Sequence, residues 1–233
     1  MTQIRTVSYN LRKNHATGEL DALVADFQPD VLCLQEVDTF DLPAELAGMR
    51  LADATKRNRL GLALYFRQDR FSLRRARTFE LKKSLHDRVL APAHERLIGA
   101  HLVDNESENE FVAASFHAAP LTALNSLRRH QIRTAHAALV ALGHGAPIMM
   151  VGDYNYPWFT KSLGERMKAR GYDMALSDRK TYTRYKFFRG HFDFVTSSGL
   201  EVRAVETLPR GESDHMPILV SLEYESREQD VAA

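Results

Sequence analysis

Pro147-Ile148-Met149-Met150-Val151-Gly152-Asp153-Tyr154-Asn155 is a short apolar run that ends in two ligand-type side chains one residue apart. The apolar part, 147–151, has the pattern of a buried strand. In an extended segment, residues i and i+2 point the same way, so Asp153 and Asn155 can face one cleft with Tyr154 turned aside. A carboxylate in that place can orient or deprotonate a water, and an amide can hold a phosphate oxygen. The same residues also suit an Asx turn after a strand, so the stretch needs partners elsewhere in the chain before it means chemistry.

The chain supplies them at other strand ends. Asn10 closes an apolar pattern over 4–9, Glu36 follows the continuous run 31–35, and His117 ends 111–116. Ser213-Asp214-His215 stands just before a strand pattern at 217–222. Asp193 lies between Phe192 and Phe194, an apolar flanking that turns it inward and makes it a candidate partner for the second ring nitrogen of His215. A carboxylate delivered to the end of a buried strand, as Glu36 is, is costly unless paired or metal-bound. A hard cation such as Mg²⁺ takes oxygen ligands and keeps several waters, so one or two carboxylates suffice. Taken singly, each of these residues is explained as well by a turn or a structural hydrogen bond.

The remainder of the chain sets the frame. At 233 residues, 44% apolar and 26% charged, it has the composition of an ordinary globular protein. Cys33 is the single cysteine; it excludes an internal disulfide and a Cys-rich zinc site. A strand pattern begins almost at Met1, and no apolar run approaches the length of a membrane helix, so the expectation is a cytoplasmic protein with no membrane segment and no obligate protein partner evident. Net charge is +1, yet 104–110 holds four acids and no base and 221–233 is also acidic. The body is therefore mildly basic, which suits a polyanionic substrate.

Strand patterns are expected at 4–9, 31–35, 61–66, 71–81, 96–103, 110–116, 147–151, 191–196, 201–206 and 217–222. Helices are expected at 20–27, at 42–47 with Pro43 in its first turn, at 124–142, and at 161–170. Without a low-complexity seam, 1–224 reads as a single domain and 225–233 as a polar tail. Strand-rich halves joined by helices suggest an α/β arrangement of two packed sheets with helices outside. Arg128, Arg129 and Arg133 are expected on the solvated face of the long helix.

Ser8-Tyr9-Asn10, Leu34-Gln35-Glu36, Ser115-Phe116-His117, Gly152-Asp153-Tyr154-Asn155, His191-Phe192-Asp193-Phe194-Val195 and Ser213-Asp214-His215 occur in one order along nearly the whole chain. In that order they resemble the endonuclease/exonuclease/phosphatase superfamily, the deoxyribonuclease I-like fold. The resemblance implies a four-layer α/β/β/α sandwich of two packed mixed sheets flanked by helices. It also implies hydrolysis of a phosphate ester with Mg²⁺ or Mn²⁺. By position, Glu36 resembles the principal metal ligand, and Asn10 and Asp214 resemble additional or outer ligands. Asp153 resembles the residue that aligns or activates the attacking water, and Asn155 a phosphate-orienting group. His117 and His215 resemble the pair on the scissile phosphate, with Asp193 the partner of His215. The resemblance leaves either Asp153 or His215 as the base. The chain departs from the common pattern at His191-Phe192, where Arg-Ile is frequent, and at Ala118, where Leu often follows the histidine.

For the substrate, a nucleic acid or nucleotide is the first expectation. Tyr154, Tyr156, Trp158 and Phe159 lie near the motif and could stack on a base or sugar. Arg96, Tyr182, Arg184, Lys186 and Arg189 are candidates to line the cleft and hold other phosphates. A phospholipid, sphingolipid or inositol-phosphate headgroup is the alternative, and a non-catalytic binding module on the same fold is the third.

Overall fold

Strand alternation assigns every layer. A computed structural model describes residues 3–58, 60–84, 93–184 and 190–224. Its strands are β1 (Gln3–Asn10), β2 (Val31–Val37), β3 (Glu45–Leu46), β4 (Met49–Ala54), β5 (Gly61–Arg67), β6 (Phe71–Glu80), β7 (Glu95–Asp104), β8 (Glu110–His117), β9 (Ile148–Asp153), β10 (Asp173–Leu176), β11 (Asp193–Ser198), β12 (Leu200–Thr207) and β13 (Ile218–Tyr224). They form a seven-stranded sheet in the order β12-β13-β1-β2-β5-β4-β3 and a six-stranded sheet in the order β10-β11-β9-β8-β7-β6. Both sheets are mixed, because β1 pairs in parallel with β2 and β8 with β9, among otherwise antiparallel pairs.

Side chains two apart share a face, and the buried residues divide accordingly. Val31 and Cys33 on β2 meet Ile98, Ala113, Met149 and Val195 of the second sheet in the central core. Their neighbours Leu32 and Leu34 point the other way, onto Leu20, Leu23 and Val24 of helix α1 (Leu20–Phe27). On the second sheet, Val112, Ala114, Phe116 and Met150 face helices α2 (Asn125–Gly143) and α3 (Thr160–Lys168) through Ile132, Ala135, Leu139, Leu163 and Met167. The order is therefore helix, sheet, sheet, helix, with three apolar cores between the layers.

One polar cluster interrupts the central core. Gln35, fully buried, donates to Ser8 Oγ at 3.2 Å, to Cys33 O at 3.1 Å and to Ser115 Oγ at 3.0 Å. Ser115 in turn donates to Leu34 O at 3.2 Å. The two sheets are thus joined by directional bonds one residue below Glu36, which fixes their relative register more tightly than apolar contact does.

The expected helix at 42–47 is instead the hairpin of β3 and β4. Ala47 and Gly48 have φ of 46° and 82°, and Leu46 pairs directly with Met49. Two consecutive positive φ values are the geometry of a two-residue primed turn, and Gly48 favours that turn over a continued helix. Strands β4 and β10 were not expected from the pattern. Both are mostly half-exposed, so alternation in them is weak. Arg128 also differs from expectation: it is 3% exposed and donates to Pro120 O at 2.6 Å and to Asn125 Oδ1 at 2.5 Å. Its guanidinium holds the β8–α2 connection, work for which a buried fork of donors is suited. The expected tail at 225–233 lies outside the described residues. No helix among the described residues is long and apolar enough to cross a membrane.

Gly152 on β9 pairs with Phe116 on β8. Its φ is 147°, and a Cβ there would lie 2.0 Å from Phe116 O. Gly152→Ala is expected to cost roughly 2–5 kcal/mol, through backbone strain and displacement of β8. Urea unfolding measures it, and a loss below about 1 kcal/mol would contradict this packing.

Candidate active site

Alternation carries Asn10, His117, Asp153 and Asp193 onto the inter-sheet face, each where its strand ends or begins. The apolar core stops there and these groups take its place. His117 pairs with Asp153 across β8 and β9, and Asp153 with Asp193 across β9 and β11. Three of the candidate side chains thus form one rung across the second sheet.

Asp153 is the centre of the cluster. It is 2% exposed. From the other sheet, Asn10 Nδ2 donates to its Oδ2 at 3.1 Å. His117 Nε2 lies 3.5 Å and His215 Nε2 3.9 Å from the same oxygen. Its Oδ1 accepts from Asn155 N at 2.9 Å. Asn155 has left the strand in left-handed backbone, φ 49°, so an Asx turn rather than alternation aims its side chain. Its amide donates to Ala118 O at 3.4 Å.

His215 is held from both sides. Its Nδ1 donates to Asp193 Oδ2 at 2.8 Å, which leaves Nε2 facing Asp153. Its own N–H donates to Ser213 Oγ at 3.1 Å, and that hydroxyl donates to Asn10 O at 2.6 Å. Thr183 caps the same loop through its N–H and hydroxyl, both donating to Asp214 O. Tyr182 bridges to His215 through the backbone, and its ring lies edge-on at 5.1 Å.

Glu36 departs from alternation. The register of β2 on β5 slips between Gln35 and Val37, and Glu36 has φ 54°. A bulge of this kind re-aims a side chain. The turn after β1 closes over it: Arg12, Lys13 and Asn14 have φ of 46°, 55° and 68°. Three successive left-handed residues are costly. Here they present Lys13 N to Glu36 Oε2 at 2.9 Å, Asn14 N to Glu36 O at 2.9 Å, and Arg12 N to Asn10 Oδ1 at 3.0 Å. Asp214 Oδ2 faces Arg12 at 3.8 Å and Arg184 at 3.9 Å.

The electrostatics follow from burial. Burial pushes the Asp153 carboxyl up to about 7; His215 pulls it back, while Asp193 and Glu36 add to the rise. Burial opposes charge on the His215 ring, but the carboxylates of Asp193 and Asp153 outweigh it and push the ring up to about 10. The site therefore concentrates negative charge around a buried carboxylate, the condition that a cation relieves. Oxygen donors at Glu36, Asn10 and Asp214 fit a hard divalent ion. Asn10 Oδ1 retains a lone pair beyond the one bonded to Arg12 N. Asp153, Asp193 and His215 also bring one ligand atom each within 4.8 Å of one another, but the hydrogen bond between the last two already uses His215 Nδ1 and Asp193 Oδ2.

The residues expected to touch substrate divide. Tyr154 is fully buried, stacked on Phe194 at 3.8 Å, and its hydroxyl donates to Met150 O at 2.8 Å. It belongs to the helix-side core, as its place one residue after an inward-facing Asp153 requires. Arg96 is 6% exposed and donates to the carbonyls of His117 and Ala118 at 3.0 and 2.9 Å, beneath the histidine rather than across the cleft. Tyr182 is half-buried against His215, and Arg184 is exposed. Lys186 and Arg189 lie outside the described residues. Tyr156 is buried, while Trp158 and Phe159 are 51% and 71% exposed. Arg12 and the Ser213 hydroxyl were not singled out from sequence. Ser213 stands beside a motif acid and was within reach of a sequence argument; Arg12 carries no signal of its own.

The model of the endonuclease/exonuclease/phosphatase family matches residues 7–215, and the chain belongs to that family. Among curated proteins no sequence match is found. The catalytic domain of human Nocturnin, solved with bound sulfate, is 20% identical, with 95% of this chain and 94% of that one covered at a TM-score of 0.74. ANGEL2, a 2′,3′-cyclic phosphatase solved with adenosine-2′,3′-vanadate, is 16% identical, with 96% of each chain covered at 0.76. A mannosyl-6-phosphatase of Bacteroides thetaiotaomicron is 18% identical, with 95% of this chain and 100% of that one covered at 0.74. At these identities the likeness is one of fold. The family supports phosphoesterase chemistry.

The His215 shift sets a pH dependence of stability. Its folded value near 10 lies above the ordinary 6.5, so its contribution is full below about pH 6.5 and is lost as pH rises through 10. In chelator, the melting temperature should fall between pH 7 and 9, and fall less in His215→Gln. Equal slopes in the two proteins would contradict the paired, protonated ring.

Proposed function

We propose that this chain is a divalent-metal-dependent phosphodiesterase acting on a nucleic acid or nucleotide. One observation carries the reading: two histidines and an amide from opposite sheets converge on one buried carboxylate oxygen, Oδ2 of Asp153. A core does not need such a group, whereas hydrolysis of a phosphate ester, among the slowest uncatalysed reactions, needs a preorganised anion site.

Glu36, with Asn10 and Asp214, would hold Mg²⁺ or Mn²⁺. A bound divalent ion supplies charge neutralisation at phosphate and lowers the pKa of water. The chain's own residues do the rest. Asp153 orients the attacking water and accepts its proton, since its raised pKa suits a base near neutral pH. Asn10 keeps that carboxylate turned into the cleft. His215, protonated through Asp193, donates from Nε2 to a phosphate oxygen, and His117 donates to another. Asn155 orients the same phosphate. Asp193 acts through His215 as a positioning residue. Exposed Trp158 and Phe159 leave the same end of β9 and offer faces on which a base can stack, and Arg184 offers a cation. These favour a nucleotide-bearing substrate over a bare headgroup. The other solved relatives include a TDP2 of D. rerio with a single-strand DNA product, which agrees with a substrate of that class.

Bis(p-nitrophenyl) phosphate, single-stranded DNA, RNA, inositol phosphates and sphingomyelin should be compared at fixed metal. Hydrolysis of the nucleic acids is expected, with none in chelator. His215→Ala is expected to lower kcat by a factor on the order of 10²–10⁴. Full activity in chelator, or in His215→Ala, contradicts the mechanism. Hydrolysis of only the lipid or inositol substrates contradicts the substrate class.

A further inference from the structure

The sheet orders identify what walls the cleft on the side away from His215. Beyond the site strands β13, β1 and β2 comes β5, and beyond β11, β9 and β8 comes β7. The segment between β4 and β5 lies at that position in the first sheet: Gly61 pairs with Val37, the residue after Glu36, and Thr55 N donates to Leu62 O at 3.0 Å.

This segment is bolted to the second sheet. Glu95, at the start of β7 and 7% exposed, accepts Lys56 N at 2.8 Å and Arg57 N at 2.9 Å on one carboxylate oxygen. Its other oxygen accepts Thr78 Oγ1 at 2.5 Å. Asn58, 5% exposed, donates to Glu95 O at 2.5 Å and accepts His94 N and Glu95 N at 2.6 and 3.0 Å. The next residue, Arg96, holds the carbonyls of His117 and Ala118. A continuous set of hydrogen bonds therefore runs from residues 56–58 to the backbone of a site histidine.

Two buried polar side chains thus tie the loop to the start of β7: Glu95 accepts from the loop backbone, and Asn58 of the loop bonds the backbone of His94 and Glu95. Buried polar groups are costly unless fully bonded, and here the bonding leaves the loop backbone fixed. That backbone presents two cations: the side chains of Lys56 and Arg57 are 81% and 58% exposed. Their present partners are Asp53, 3.9 Å from Lys56, and Glu80, which pairs with Arg57. Exposed ion pairs contribute little, and an arginine exchanges such a partner for phosphate, which it binds in the same bidentate geometry.

We propose that Lys56 and Arg57 form a subsite for a second, non-scissile phosphate, on a loop set by Glu95 and Asn58. The inference rests on the phosphoesterase reading and specifies its substrate: one with another phosphate beside the bond that is cut. The loop is anchored on β7, two strand spacings or roughly 10 Å from β9, and Arg57 reaches on to Glu80 at the end of β6, one strand further. The loop is therefore too far to serve the phosphate at Asp153 and is placed for one further along the same molecule. An oligonucleotide and a nucleoside polyphosphate both carry that chemistry.

Lys56→Ala/Arg57→Ala keeps both backbone donors and removes both cations. With bis(p-nitrophenyl) phosphate, which has no second phosphate, kcat and KM should equal those of the unaltered protein. With a short single-stranded oligonucleotide, KM should rise on the order of tenfold, and the salt dependence of binding should weaken by about the loss of one or two phosphate contacts. A nucleoside triphosphate used as a competitor identifies the source. If it inhibits oligonucleotide cleavage in the unaltered protein and not in the variant, the polyphosphate shares the subsite; if it inhibits neither, the oligonucleotide is the ligand. Equal losses on both esters, or no change on the oligonucleotide, overturns the subsite. Direct binding of a labelled oligonucleotide in chelator separates this failure from that of the catalytic reading. Tenfold weaker binding by the variant supports the subsite even where no ester is cut, and unchanged binding removes it.

Discussion

A carboxylate at the end of an apolar core can be kept only if its surroundings answer its charge, and the arrangement around Asp153 follows from that constraint. The group is 2% exposed, and burial alone would drive it to its neutral form. Asn10 answers it from the first sheet, the Asn155 N–H from its own turn, and His117 and His215 from its flanks. Asp193 stabilises the charged ring of His215 and at the same time adds to the negative field. The balance stays negative, and that excess is what makes a cation a natural member of the site.

The two-sheet architecture makes this arrangement possible. Side chains two apart along a strand face the same way, so an apolar inner face can end in a polar residue without any change of direction. Gln35 bonds to Ser8 and Ser115 just inside the site, so the sheets that contribute Asn10 and Asp153 are registered by hydrogen bonds close to where they meet. The exception is Glu36, which alternation would send to the helix side. A bulge and a run of left-handed residues turn it back. Such backbone is sustained only where surrounding contacts over-determine it, here by Lys13 and Asn14 donating to Glu36.

Much of this was legible in the chain. Continuous apolar runs such as 31–35 mark strands buried on both faces, and residues 20–27 match α1. The layers followed from the motif resemblance, and the family match spans 7–215. The inward direction of Asp193 was readable from Phe192 and Phe194. The sequence pattern failed where direction is set by backbone that leaves alternation. Ala47-Gly48 made a hairpin of an expected helix, and the turns at Glu36 and Asn155 re-aim side chains in ways that spacing does not encode. It failed also where a charged residue is buried on backbone carbonyls. Arg128 was expected on a solvated face and Arg96 along the cleft, but each donates to carbonyls at or just after the end of β8. Glu95 gave no signal because its partners, Lys56 and Arg57, contribute only their N–H groups.

The central claim is that Glu36, Asn10 and Asp214 form the cation-binding side of a site whose water-activating side is Asp153. Anomalous diffraction from crystals soaked in Mn²⁺ tests it most directly. The account predicts one strong peak within coordinating distance of a Glu36 carboxylate oxygen, with the Asp193–His215 hydrogen bond intact. A peak seated between Asp153, Asp193 and His215 with that bond broken, or no peak near Glu36, would contradict it.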